Sequence, residues 1–185
     1  MKKQMDIRRI VYDALFAAMS AALGYFSFDF GSGVFKITFE NIPILIGAMM
    51  FGPADGGLIG FVGIFLAQLL KYGLDPSTPL WILPYVLSGL VVGLVAKKKS
   101  FTFKKWEIVL LMLLNGVVVT SVNTLGLIVD AKFIRVRPLA TVIAAIPVRF
   151  GAAAINAILR AILVPLIIEG LQKAGLYNKK WMMRS

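Results

Sequence analysis

The chain has 185 residues, 59% of them hydrophobic and 16% charged, with a net charge of +11. Ordinary soluble domains are about half apolar and about a quarter charged, so one soluble core could not bury this much apolar surface, whereas a bilayer solvates it directly. Neither Cys nor His occurs, which excludes disulfides, thiolate chemistry and imidazole bases, and with them most zinc and haem sites.

A bilayer-crossing helix needs about 20 mainly apolar residues, so the length holds roughly five to seven spans and no separate soluble domain. The expected fold is all-α: a polytopic membrane protein, one six-transmembrane-helix bundle over residues 1–185. The basic excess, which in a soluble protein would point to nucleic acid, fits the Lys- and Arg-rich cytoplasmic flanks of membrane helices.

The basic opening Met1–Arg9 runs into an apolar stretch too long for a signal-peptide core and without a small-residue cleavage site, so it is read as the first span. Helix 1 is expected from Ile10 to Phe28, ending in the turn-forming run Asp29-Phe-Gly-Ser-Gly. Its Ala14, Ala18 and Ala22 recur every fourth residue, a smooth stripe that lets another helix approach closely. Spacing alone leaves open whether that helix belongs to this chain or to a partner. Helix 2 is expected over Thr38–Phe51, stopping at Gly52-Pro53, and helix 3 over Gly56–Leu70. Both are short for spans and are expected to be tilted or partly interfacial. After the Gly- and Pro-rich loop Lys71–Pro79 come helix 4 (Leu80–Ala96), a Lys-rich connection, helix 5 (Glu107–Val129) and a last apolar stretch from Leu139 to Leu171.

Six spans put both termini on one side. That side carries Lys2, Lys3, Arg8, Arg9, Lys97, Lys98, Lys99, Lys104, Lys105, Lys173, Lys179, Lys180 and Arg184; the other carries Lys36, Lys71, Lys132, Arg135 and Arg137. The excess places the termini in the cytoplasm.

Ionisable groups inside spans mark functional positions, because burying one in lipid costs a few kcal/mol. Glu40 opens helix 2. Arg149 follows Pro147, and Pro suits a first helical turn, so helix 6 proper is expected to start there with Arg149 near the outer surface. Arg149 then either pairs with Glu40 or anchors a ligand. Arg160 lies eleven residues further, about 16 Å deeper, with Asp13, Glu169 or a partner subunit as candidate counterparts. Gln68, Tyr72, Trp81, Tyr85 and Asn123 fall near the outer ends of their helices, and Asn115 and Asn156 also interrupt apolar runs. Aromatics with a few polar groups are what a pocket for a planar small molecule needs, although Trp and Tyr also form interfacial belts. With Lys36, these outer residues form the expected substrate site: Lys36, Glu40, Gln68, Tyr72, Trp81, Tyr85, Asn123 and Arg149. The outer basic excess favours an anionic ligand. No catalytic motif, phosphate loop or metal cluster is visible; Asp55 stands without a companion carboxylate nearby in sequence. The chain is accordingly expected to be no enzyme and to need no cofactor.

Several segments resemble the substrate-binding S components of energy-coupling factor (ECF) vitamin transporters. They are the alanine stripe, Phe39-Glu-Asn-Ile-Pro-Ile-Leu-Ile-Gly47, Met50-Phe-Gly-Pro-Ala-Asp-Gly-Gly-Leu-Ile-Gly60 and Leu87-Ser-Gly-Leu-Val-Val-Gly-Leu94. The resemblance implies a vitamin pocket closed by extracellular loops, and association with a membrane coupling (T) subunit and two ATPase subunits. It also implies that Ala14, Ala18 and Ala22 face that coupling subunit. Asn123-Thr-Leu-Gly-Leu127 and Pro147-Val-Arg149 are most similar to the folate-type branch; Phe61-Val-Gly-Ile-Phe65 departs from it, since an acidic residue commonly stands there. Folate-like vitamins or another anionic vitamin such as pantothenate are the implied substrates. A small independent secondary transporter or channel is the alternative, opposed by the lack of a visible inverted repeat.

Overall fold

The computed structural model describes residues 7–30, 35–136 and 138–177, with the backbone alone at 29, 30 and 35. Lys2, Lys3, Arg137, Lys179, Lys180 and Arg184 of the charge census lie outside what is described. The described residues form six α-helices: α1 (Ile7–Tyr25), α2 (Asn41–Phe51), α3 (Pro53–Tyr72), α4 (Thr78–Lys98), α5 (Lys105–Val129) and α6 (Leu139–Lys173). A π-helical turn, Asp130–Ile134, prolongs α5. Between α1 and α2 stands a small antiparallel hairpin of β1 (Phe28–Phe30) and β2 (Phe35–Ile37), which pairs Phe28 with Ile37. The hairpin was not expected; Phe28 had been assigned to helix 1.

Among the described residues four helices, α3, α4, α5 with its π turn, and α6, are long and apolar enough to cross a membrane. The protein is a multi-pass membrane bundle. α2 has 11 residues, about 16 Å of helix against a hydrocarbon layer of about 30 Å. It is neither tilted into lipid nor interfacial. All of its residues are buried, and it packs against α1, α3, α4 and α6 as the bundle's central element. A helix apolar all round is a helix surrounded by protein, and Ile42-Pro-Ile-Leu-Ile-Gly-Ala-Met-Met-Phe51 is such a sequence.

In lipid, helices gain little from hiding apolar surface and associate through close packing. The glycines of α3 supply it. A Cβ on Gly56 would lie 2.7 Å from the Gly89 carbonyl oxygen, and one on Gly89 would collide with the Gly56 backbone, so α3 and α4 cross in main-chain contact. The α2–α3 turn is as tight: Gly52 adopts φ +100°, a conformation few other residues tolerate, and Pro53 opens α3.

Two polar clusters tie the helices together. Asn115 Nδ2 donates to Ser88 Oγ (2.8 Å), Ser88 Oγ to Asn41 Oδ1 (3.2 Å), and Asn41 Nδ2 to Asn115 Oδ1 (3.2 Å). This closed ring joins α5, α4 and α2 with every member buried. At the Gly52 end of the bundle, Arg9 donates to Asp55 and, at 3.0 Å, to the Phe51 carbonyl. Asp13 of α1 lies beside Asp55, so Asp55 has a companion carboxylate, brought by helix packing rather than by sequence proximity. Among the described residues no three potential metal ligands cluster.

α6 begins at Leu139, and Pro147 lies within it. Proline inside a helix removes one backbone donor and crowds the carbonyl four residues back, but membrane helices tolerate this where neighbours compensate. Arg149 therefore sits ten residues into α6 rather than near its start.

Candidate functional site

The short α2 occupies the middle of the bundle, and beyond its Glu40 end a cavity of about 460 Å³ opens beneath the hairpin and the 73–77 loop. Its walls come from the segment before α2 and from α3, α4, α5 and α6. Lys36 and Thr38 precede α2; Gln68 and Tyr72 end α3; Trp81 and Tyr85 start α4. The C-terminal half of α5 contributes Val119, Thr120, Asn123 and Leu127, and α6 contributes Arg149, Ala152, Ala153, Asn156 and Arg160. Spacing of three, four, seven and eleven from Arg149 puts these α6 residues on one helical face.

The mouth is held by side chains that cap the 73–77 loop. Ser77 donates its hydroxyl and its N–H to Asp75, the latter at 2.8 Å, and accepts from the Trp81 indole N–H at 3.0 Å. Arg135 reaches over from the end of α5, 3.4 Å from Asp75 Oδ2 and 3.7 Å from buried Asp130. The Ser77 hydrogen bonds, with Arg135 adding to them, hold the exposed Asp75 carboxyl below the usual carboxylate range. The hairpin is fastened by Asn156, whose Oδ1 accepts from Thr38 N–H (3.0 Å) and whose Nδ2 donates to the Lys36 carbonyl (2.7 Å).

Glu40 is buried behind this wall. It accepts from Lys36 Nζ at 3.2 Å and from the Tyr85 hydroxyl, while Ser20 of α1 donates to its backbone carbonyl at 2.7 Å. It does not pair with Arg149, because Lys36 and Tyr85 already occupy its oxygens. Arg160 meets neither suggested acid: Asp13 is beside Asp55, and Glu169 holds Lys105 (2.7 Å) and Lys173 (3.2 Å). Both arginines line the cavity, and neither Nε makes a hydrogen bond.

Seven of the expected site residues thus line one cavity: Lys36, Gln68, Tyr72, Trp81, Tyr85, Asn123 and Arg149. Glu40 stands behind it and orients Lys36 and Tyr85. Asn156 and Arg160 also line it, and the α6 spacing was the signal that linked them to Arg149. Asp130 and Arg135 carried no such signal. On α1, Ala14, Ala18 and Ala22 are exposed, whereas Ala17 and Ala21 are buried in the bundle.

A membrane bundle with a solute-sized, partly polar cavity at one end has the build of a substrate-binding transport component. The chain belongs to the family "ECF transporter, substrate-specific component", whose model matches residues 8–177. This is a family of transporter components, not of enzymes. Two UPF0397 proteins from two strains of Streptococcus thermophilus are each 28% identical over 113 residues, 61% of this chain. The match spans 61% of those relatives' own length. The S component for biotin from an ECF-type ABC transporter superposes with a TM-score of 0.65 at 19% identity, over 91% of this chain and 95% of that one. At that identity the likeness is one of fold.

Proposed function

We propose that this chain is the high-affinity subunit that captures a water-soluble anionic vitamin, folate-like or pantothenate, for ATP-driven uptake. The observation that carries this reading is Arg149: it lines a cavity with Trp81 and Tyr85, and Glu40, the intramolecular partner weighed for it, is engaged by Lys36 and Tyr85. A guanidinium grips a carboxylate in bidentate fashion, and the aromatic side chains offer stacking area to a ring. The biotin S component's shared fold supports vitamin capture as the class of function. The cavity end faces the exterior and both termini face the cytoplasm of a cell membrane, a reading supported by the distribution of Lys and Arg. A membrane coupling subunit docks on the exposed stripe Ala14, Ala18 and Ala22, and two ATPases drive the cycle. Family membership argues against an independent secondary carrier.

Replacing Arg149 with Ala tests the pocket. Affinity for the anionic vitamin should fall by about 2–5 kcal/mol, as for a buried charge partner removed. Unchanged affinity in a monodisperse, folded variant would remove Arg149 from the site.

A further inference from the structure

A second arginine in the same cavity is unaccounted for by a ligand with a single carboxylate. Arg160 is 4% exposed, lines the cavity floor and has an Nε without a hydrogen-bond partner. A buried charge is costly unless it is paired and hydrogen-bonded, so this guanidinium wants a charged counterpart. The neighbouring acids do not provide one at contact distance. Glu40 is engaged by Lys36 and Tyr85, Asp130 lies beside Arg135, and Glu169 holds two lysines. Near the cavity the four cations Lys36, Arg135, Arg149 and Arg160 stand against the three acids Glu40, Asp75 and Asp130, and among the described residues neither Arg149 nor Arg160 makes a salt bridge.

Their arrangement is directional. Eleven residues are almost three full helical turns, so the two arginines share one face of α6 with their Cα atoms about 16 Å apart. Between them the same face carries Ala152 and Ala153, whose single methyl groups leave space for a ligand body against the α6 backbone. Asn156 is committed to the hairpin and competes for neither end.

We propose that Arg160 is a second anion anchor at the cavity floor, and that the ligand carries an anionic group at each end with its apolar or aromatic body lying over Ala152 and Ala153. This rests on the proposed capture of an anionic ligand and narrows it beyond folate, whose carboxylates share one end, and pantothenate, which has one: Arg149 holds the group nearest the mouth and Arg160 the group that enters first. The site thereby selects dianions over monoanions of the same shape.

The full chain in lipid nanodiscs can be titrated calorimetrically with a biphenyl dicarboxylate bearing one carboxylate at each far end, and with the matching biphenyl monocarboxylate. The wild type should bind the dianion at least about tenfold more tightly, the effect of one added charge-assisted contact. Arg160→Gln should erase that preference by weakening the dianion at least about tenfold more than the monoanion. Arg160→Lys, which keeps the charge but not the bidentate fork, should show an intermediate preference and serves if the Gln variant does not fold. Equal binding of both probes by the wild type would overturn the proposal. So would a preference undiminished in the variants. In either case monoanion binding that depends on Arg149 would leave the proposed function standing. Failure of the wild type to bind either probe would overturn the second anchor, while the proposed function is judged by vitamin binding and its dependence on Arg149.

Discussion

The Tyr85 hydroxyl donates to the buried carboxylate of Glu40, tying the start of α4 to the start of α2 at the edge of the cavity. With Lys36 on the same carboxylate, Glu40 is occupied, and the arginines of α6 face the cavity instead of an acid. Glu40→Gln would weaken the hold on Lys36 and Tyr85 without emptying the wall. The expected result is lower ligand affinity with the bundle intact, read by titration alongside a size-exclusion profile. Unaltered affinity would make Glu40 a purely structural group.

The ring of Asn41, Ser88 and Asn115 makes a separate prediction about stability. Ser88→Ala leaves Asn41 Oδ1 and Asn115 Nδ2 without that partner in the bundle interior. An unsatisfied buried polar group costs about 1–3 kcal/mol, so the melting temperature in detergent should drop measurably while ligand affinity changes little. A variant as stable as the wild type would mean that the ring contributes nothing net.

Asp75 ties Ser77 and Arg135 together at the mouth. Asp75→Asn weakens its hold on Ser77 and Arg135, so ligand should leave faster with little change in melting temperature. Because its pKa is depressed, the contribution of the ionised carboxyl is complete above the ordinary carboxylate value. It is lost only as pH falls through the lowered one. Release rates should therefore be flat across neutral pH in the wild type, and stopped-flow displacement measures both effects. A release rate identical in the Asn variant would show that the loop does not gate the site.

Ala18 lies in the exposed stripe of α1. Ala18→Trp adds bulk where close approach is required; ligand binding by the isolated chain should persist while copurification with a coupling subunit and uptake are lost. Lost binding with assembly intact would place the stripe's role inside this chain.

Much of this arrangement was legible in the sequence. Helix number and the boundaries of α3, α4 and α5 followed from apolar runs punctuated by Gly, Pro and Lys, and seven of the eight polar and aromatic residues read as a site line one cavity. The errors have physical causes. Pro147 read as a helix start because that is its place in soluble helices, whereas inside a membrane bundle α6 runs through it. The central burial of α2 depends on which neighbours surround it, and an apolar sequence alone does not distinguish lipid from protein. Glu40 and Arg149 were offered to each other as opposite charges close to the same surface. Tyr85, a neutral donor, completed the shell of Glu40, and no charge count would have found it. Asp13 and Asp55 met through helix packing across a large sequence separation.

The central claim is tested most directly by titrating the purified chain in nanodiscs with folate, pantothenate and the cationic vitamin thiamine. Saturable binding of an anionic vitamin, weakened in Arg149→Ala, with no binding of thiamine, is the predicted result. Tight binding of thiamine with neither anion bound would contradict it.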